Sequence, residues 1–468
     1  MQLYASLYYV VDRGGKALLS VDQLSQIAME RATTAREAMQ IMGDLAVEYG
    51  FYGESSSFEG GSESLVVNDP TEAWVFHILA DPTGSSAIWA AARVPDDSVA
   101  VVANMFSIRE MDMNDHDNYM GRQDMWDIAE AEGLWSPTET QDFTRTFSDG
   151  EYAHKYYSGR RMWGVFYRLA PSTDLPSEYM NLKNDAPYPF AVPVDHKVNV
   201  SDMFDVLRDW YEGTAYSPTA DGVVAGGAFS TADRYSGSAS NGEGTVSGSW
   251  ERTISLFRSS DTFVVQARPY VTNNLYGGVV WFGPHAAHGT AYVPVVVGMS
   301  AMPDCLAWAY QGIYNATTSF WAHRMVLNFA QVKFSYMMGD IKQMQNQLEL
   351  DSLNMLNHLH INDTISSSSD RDNDSYSAMV TRVLTRNANT NRDAFIQLFY
   401  KLLFQYSDGY NNRWVDGVFT SASIGYPAWW LEDVGYPDGP PPVEGSPGID
   451  TGTGTGIETG TVNDITKR

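Results

Sequence analysis

β-prone residues concentrate between positions 73 and 104. Runs at 73–79, 87–94 and 98–104 are rich in Val, Ile, Trp and Phe, and are separated by Asp81-Pro82-Thr83-Gly84 and Pro95-Asp96-Asp97. Turn-forming residues between such runs predict three strands in a meander. Upstream, residues 20–50 follow a helical period. Ser20-Val21-Asp22-Gln23 has the form of a capping box ahead of Leu24, Ile27 and Ala28. Thr34-Ala35-Arg36-Glu37 is a second box, opening a helix with Ala38, Met42 and Leu45 on one face and Gly50 at its end. Further on, the pattern predicts a short helix over 201–211, strands at 253–257, 263–268 and 278–282, and a long helix over 319–356. A second helical block covers 377–406, interrupted around 387–391. Residues 53–64, 171–193 and 218–249 read as surface loops. The Pro-, Gly- and Thr-rich stretch 436–468 reads as a disordered tail.

The 468 residues suffice for one large or two moderate domains. With 44% hydrophobic and 13% aromatic residues, the composition is that of a globular chain. The formal charge of −27 argues against nucleic acid and against an anionic membrane as partners, because both would repel it. No run of eighteen apolar residues is present, so no transmembrane helix is predicted. Residues 1–11 are apolar but lack a basic leader region and a small-residue cleavage site. The single cysteine, Cys305, rules out an intrachain disulfide framework and a Cys-based zinc site.

Candidate chemistry falls at a few places. Arg93, Asn104 and Arg109 sit at or just past strand ends, where a sheet can aim polar groups into a site. Arg93 and Asp96 equally suit closure of a turn, and Asn104 a strand cap. Arg160 and Arg161 stand beside Tyr156 and Tyr157, and such a pair can bind a carboxylate bidentately or pack structurally on the rings. Asp112, Asp115, His116 and Asp117 lack the spacing and glycine of a calcium loop and read as a charged loop. His285 and His288 make no complete metal site, and Cys305 has no Cys–His frame around it. No metal or cofactor is expected.

Several segments together resemble the PepD-type cysteine dipeptidases, relatives of the secernins within the N-terminal nucleophile (Ntn) hydrolases. They are Glu72-Ala73-Trp74-Val75, Ile88-Trp89-Ala90-Ala91-Ala92-Arg93-Val94-Pro95-Asp96-Asp97 and Ala103-Asn104-Met105-Phe106-Ser107-Ile108-Arg109. The similarity continues upstream through Glu30-Arg31-Ala32-Thr33-Thr34-Ala35-Arg36. Downstream it includes Tyr156-Tyr157-Ser158-Gly159-Arg160-Arg161, Trp250-Glu251-Arg252-Thr253-Ile254 and Trp281-Phe282-Gly283-Pro284-His285. It covers about residues 15–350.

The resemblance implies an α+β fold, an Ntn-hydrolase-like αββα sandwich of antiparallel sheets, incomplete at the N-terminus and with C-terminal helices. Residues 17–435 would form the dipeptidase-like domain, with 1–16 unmatched before it. It further implies hydrolysis of dipeptides by an N-terminal cysteine through a thioester, with the cysteine's own α-amine as base. Asn104 is then the oxyanion candidate, Arg93 and Arg109 the orienting candidates, and Arg160 and Arg161 the candidates for the substrate carboxylate. The chain departs from this pattern. Residue 1 is Met, no cysteine precedes Cys305, and the family's nucleophile strand, expected upstream of Ala17, is absent. The expectation is a fragment, poorly soluble and inactive by itself because sheet edges are laid bare. The alternatives are a catalytically inactive homologue acting as a scaffold or binding protein, and a ligand-binding module rich in Trp and Tyr. Self-association stays open. Location would follow the upstream segment: secretory or lysosomal with a signal peptide, cytoplasmic without one.

Overall fold

The computed structural model describes residues 16–439 apart from 56–57, 60, 152–153, 180, 184–187, 236–245, 247, 272–276 and 366–372. The expected tail therefore lies almost wholly outside the described residues.

Both predicted N-terminal helices form. Val21–Arg31 opens on the reciprocal box, with Gln23 N donating to Ser20 Oγ (3.3 Å) and Ser20 N to Gln23 Oε1 (3.0 Å). Ala35–Tyr49 is capped by Thr34, but Glu37 reaches one residue further back, accepting from Thr33 N at 2.8 Å. The helix ends at Gly50, whose φ of 79° favours glycine.

These helices cover one face of a four-stranded antiparallel sheet ordered Ser62–Asn68, Ala73–Ala80, Ala87–Val94, Tyr119–Gly121. Because side chains alternate along a strand, Trp74, Phe76 and Ile78 meet Leu24, Met39, Met42 and Ala46 on the helix side. Leu79, Ile88, Ala90 and Ala92 face the other way, onto Phe106, Ile108, Trp126, Phe143 and Phe147.

The third run of the expected meander is corrected. Only Ser98–Ala100 is a strand, and it pairs with Ala191–Pro193, outside this sheet. Two contacts account for the change. Ser98 N closes a turn onto Pro95 O (3.0 Å), and Arg93 N donates to Asn118 O (2.9 Å), so the edge of Ala87–Val94 is already taken by 118–121. The stretch expected to be a charged loop thus supplies the edge strand.

A second antiparallel sheet comprises Thr262–Ala267, Gly278–Gly283 and Val293–Val296, with Gly278–Gly283 in the middle. Residues 253–257, expected as a strand, have no strand partner; Ser255 N is tied to Asp209 O instead (2.9 Å). Val279, Trp281 and Val296 pack on Phe204 from helix Val200–Arg208 and on Leu356, Leu359, Val380 and Leu384. The fold is therefore α+β: the first sheet lies between Val21–Arg31 with Ala35–Tyr49 on one face and the short helices Met125–Ala131 and Phe143–Phe147 on the other, and the second sheet packs on Val200–Arg208 and the C-terminal helices.

The long C-terminal helices differ in detail from the pattern. Ser319–Ala330 and Phe334–Ile365 are separated by a tight 3-10 turn at Gln331–Lys333. Asn373–Gln405 runs unbroken through 387–391. Asn387 Nδ2 donates to Ser352 Oγ on the neighbouring helix (3.1 Å), so its amide is engaged there and does not compete with its own backbone. Residues 171–193 are no surface excursion either: Tyr179, Leu182, Tyr188 and Val192 are buried against Met162, Trp163 and Phe166. Helix Gly159–Leu169, which carries those three residues, had no sequence assignment. No helix among the described residues is long and apolar enough to cross a membrane.

Candidate active site

The segment after strand Ser98–Ala100 runs across the buried face of the first sheet and carries Asn104. Its backbone is left-handed, with φ of 53°, a conformation that asparagine tolerates better than most residues. Arg161, in the first turn of helix Gly159–Leu169, donates through Nη2 to Asn104 Oδ1 at 3.0 Å and lies 3.4 Å from Ala103 O. Its Nε donates to Tyr157 O (2.8 Å), and its guanidinium rests over the Tyr157 ring. With Oδ1 held by the arginine, the Asn104 Nδ2 group has no partner among the described residues. Burial lowers the Arg161 pKa to about 10, which leaves it cationic at neutral pH.

The other arginines are placed differently. Arg160 points away from Asn104 and is buried. It bonds Glu251, donates to Ser177 O (2.8 Å) and stacks over Tyr216 at 3.4 Å from the ring centre. Arg109 pairs with Asp142 (2.6 Å) and donates to Lys183 O (3.0 Å) and Leu182 O (3.3 Å), clamping the 182–183 loop. Burial outweighs the pairing on both sides: it lowers the pKa of Arg109 and raises that of Asp142. Arg93 pairs with Asp96 (2.6 Å) and stands 3.5 Å from Glu72, which also holds Arg36 (2.9 Å). The structure thus brings Asn104 and Arg161 together, and gives Arg93, Arg109 and Arg160 carboxylates of their own.

The model of peptidase family C69 matches residues 9–347. The chain belongs to peptidase family C69. It is 28% identical over 266 residues to a protein of Latilactobacillus sakei named probable dipeptidase, covering 57% of this chain and 47% of that protein. A Salmonella dublin protein of the same name is 25% identical over 288 residues, covering 61% and 56%. A dipeptidase of Bifidobacterium longum is 23% identical over 314 residues, covering 64% and 51%. The chain spans about half the length of the curated relatives it matches.

Two further residues shape this part of the C69 chain and escaped the sequence reading. Glu151 sits ahead of helix Gly159–Leu169 and gathers its free amides, accepting from Tyr156 N (2.9 Å), Ser158 N (3.0 Å) and Gly159 N (2.8 Å), and from the Tyr179 hydroxyl. It thereby fixes the turn that presents Tyr157 and Arg161. Gly159 belongs to the same arrangement, because a Cβ there would lie 2.4 Å from the Tyr179 ring.

The second is His77, fully buried in strand Ala73–Ala80. Its Nε2 accepts from Ser107 N (3.0 Å), so the neutral ring carries its proton on Nδ1, 2.7 Å from Ser64 Oγ. Burial lowers its pKa to about 3. The ring stacks on Phe106 and anchors the segment between Asn104 and Arg109. A polar residue in the middle of an otherwise buried apolar run was the available signal.

The remaining sequence candidates lie elsewhere. His288 is caged, with Nδ1 2.6 Å from Ser255 Oγ and Nε2 3.3 Å from Asp233, and all three residues are buried. His285 is buried against Phe320. Cys305 is 3% exposed, and burial pushes its thiol pKa up, the reverse of an activated nucleophile. The carbonyls of His116 and Asp117 in the acidic loop accept from Arg36 at 2.7 Å each. Among the described residues, no group of three His, Cys, Asp or Glu side chains is positioned to hold a metal ion.

Proposed function

We propose that this chain belongs to a dipeptide hydrolase whose nucleophile is an N-terminal cysteine. The observation that carries the reading is the Asn104–Arg161 pair: with its amide oxygen held by the arginine, Asn104 keeps Nδ2 as the donor it would offer an oxyanion. Dipeptidase relatives over most of the chain support the same substrate class. Cys305, buried and with a raised pKa, is unsuited to attack. The proposed nucleophile is therefore a cysteine other than Cys305.

In the proposed reaction the cysteine thiol passes its proton to its own α-amine, a base of pKa about 8. The sulfur attacks the peptide carbonyl carbon, and the oxyanion accepts a hydrogen bond from Asn104 Nδ2. Collapse breaks the C–N bond, and the departing amine takes the proton held by the α-amine. Water then cleaves the thioester, which releases the second amino acid and restores the thiol. Arg161, cationic and next to Asn104, is the better placed of the arginine pair to meet a substrate carboxylate, while Arg160 holds the wall behind it. Arg109 orients the segment that carries Asn104, and Arg93 the sheet end beneath it. The proposed full fold is the four-layer αββα sandwich, its two sheets stacked between helices.

The test is the intact mass and N-terminal sequence of the native protein, with a dipeptide hydrolysis assay before and after thiol alkylation. The expected result is a longer chain that begins with cysteine and whose activity is abolished by alkylation. A native chain that begins at Met1 and leaves dipeptides uncut would overturn the reading in favour of an inactive homologue.

A further inference from the structure

The C69 match ends at residue 347, and beyond it the chain builds a hairpin whose second strand is exposed throughout among the described residues. Strands Tyr410–Val415 and Val418–Ser423 pair only with each other among the described residues, around a two-residue turn at Asp416 (φ 51°) and Gly417 (φ 78°). Every residue of Val418–Ser423 is exposed. Apolar groups occupy both faces: Trp414 and Phe419 are cross-strand partners on one, and Val415 and Val418 lie on the other. The first face continues through the Phe419–Phe404 ring contact onto the outer side of helix Asn373–Gln405, where Tyr400 and Leu403 are exposed as well. An isolated two-stranded hairpin is marginal in water unless something packs on it.

We infer that Val418–Ser423 is a self-pairing edge through which two copies of this chain form a two-fold dimer. Three features favour a second copy over another partner. First, the segment Val-Phe-Thr-Ser-Ala-Ser carries no charge and no proline, the devices that normally protect a sheet edge. An antiparallel strand can pair with its own twin across a two-fold axis, turning two hairpins into one four-stranded sheet.

Second, the chain as a whole carries −27, which pushes copies apart, yet residues 400–424 hold two cations (Lys401, Arg413) and two carboxylates (Asp408, Asp416) and so have no net charge. Copies meeting here add no net repulsion from the segment itself. Third, the exposed portions of Tyr400, Leu403, Phe404, Tyr410, Trp414 and Phe419, on the first face, offer roughly 650 Å² of surface, close to one partner's share of a standard interface.

The pairing pattern selects the test. Val415 opposite Val418 closes the turn, so the backbone N–H groups of Phe419, Ser421 and Ser423 point away from the hairpin along its free edge. Ser421→Pro deletes an outward donor and leaves the hairpin's own ladder intact. The mass of the 468-residue chain in solution is measured by sedimentation at several concentrations, together with amide hydrogen exchange. The wild type is expected to be a dimer that tightens as salt rises from about 0.05 to about 0.5 M, because salt screens the repulsion between like-charged bodies. Ser421→Pro and Phe419→Lys are expected to weaken it by at least ten-fold. Exchange at Phe419 and Ser421 is expected to slow as wild-type concentration rises. If either variant fails to fold, that wild-type exchange decides alone. A wild-type monomer, a dimer indifferent to both substitutions, or exchange at these amides that ignores concentration would each overturn the inference.

Discussion

Arg161 Nη2 lies 3.0 Å from Asn104 Oδ1, joining the first turn of one helix to a left-handed residue just past a strand end. The contact engages the amide oxygen of Asn104, and under the proposed function it makes the arginine a positioning group for the asparagine. In the proposed dipeptide hydrolase, Asn104→Ala is expected to lower kcat by more than roughly ten-fold with little change in KM, as loss of an oxyanion donor does. Arg161→Ala should lower kcat and raise KM together, and Arg161→Lys should restore part of the second effect only, since lysine keeps the charge but not the planar fork. Steady-state kinetics on the variants decides. Unchanged turnover in Asn104→Ala removes that residue from the site.

Acid sensitivity follows from His77. A histidine free in water titrates near 6.5, whereas burial holds this one down to about 3. Between those values the unfolded chain binds a proton that the folded chain refuses, so stability falls as pH drops through this window, by about 1.4 kcal/mol per pH unit for one such group. His285, also near 3, and His323, near 4, add to the same trend. Urea unfolding of wild type and His77→Gln at a series of pH values is the check. The variant should start less stable at pH 7, and its stability should fall less steeply between pH 6 and pH 4 by about one proton's worth.

The sequence made these features legible to different degrees, for physical reasons. Capped helices were readable, because Ser20 with Gln23 and Thr34 before Glu37 are local signals within one turn of the chain they act on. Strands 73–79 and 87–94 were readable from β-prone runs between turn residues. Where long-range pairing decided the outcome, local pattern failed: Ser98–Ala100 left its expected sheet because residues 118–121 occupy that edge. Helix Gly159–Leu169 was missed because tyrosines and arginines dominate its approach, and its buried side is closed by Tyr179 and Tyr188 from a proline-rich stretch that reads as solvent-facing. At the site, Asn104 and the arginines stood out as residue types, but which arginine meets Asn104 depends on helix phase; His77 was marked only by its polarity within an apolar run, and Glu151 acts through backbone amides that no pattern exposes.

Gly43 offers a sharper packing test. It lies where helix Ala35–Tyr49 passes closest to the sheet, and a Cβ added there would fall 2.2 Å from Trp89 Cε2. Trp89 is buried within a strand and stacks on Phe76, so its ring can yield only by giving up that contact and moving toward the cleft it lines with Asp44 and Tyr119. The helix propensity gained by Gly43→Ala, about 1 kcal/mol, should be overwhelmed by overpacking. A net loss of roughly 1–3 kcal/mol in chemical denaturation is expected. Gly339→Ala, in a helix where nothing lies within 4 Å of the added methyl, should instead be neutral or stabilising.

The buried pair Arg208–Glu349 joins helix Val200–Arg208 to Phe334–Ile365 and to the loop between them. Arg208 Nη1 is 3.0 Å from Glu349 Oε2, its Nη2 also donates to Thr290 O (2.9 Å), and Glu349 Oε1 accepts from Tyr292 N (2.8 Å). Removing either partner strands the other charge away from water, at a cost of roughly 3–5 kcal/mol. Arg208→Met and Glu349→Leu singly should therefore each be severely destabilising. Together they remove both charges, so the double variant should lose less than the two singles combined, with a coupling of at least about 1 kcal/mol. It should still fall short of wild type, because Tyr292 N–H keeps no acceptor in the apolar replacement. A double-mutant cycle in urea measures all of this, and additive losses would mean that each side chain is held by its backbone contacts and not by its partner.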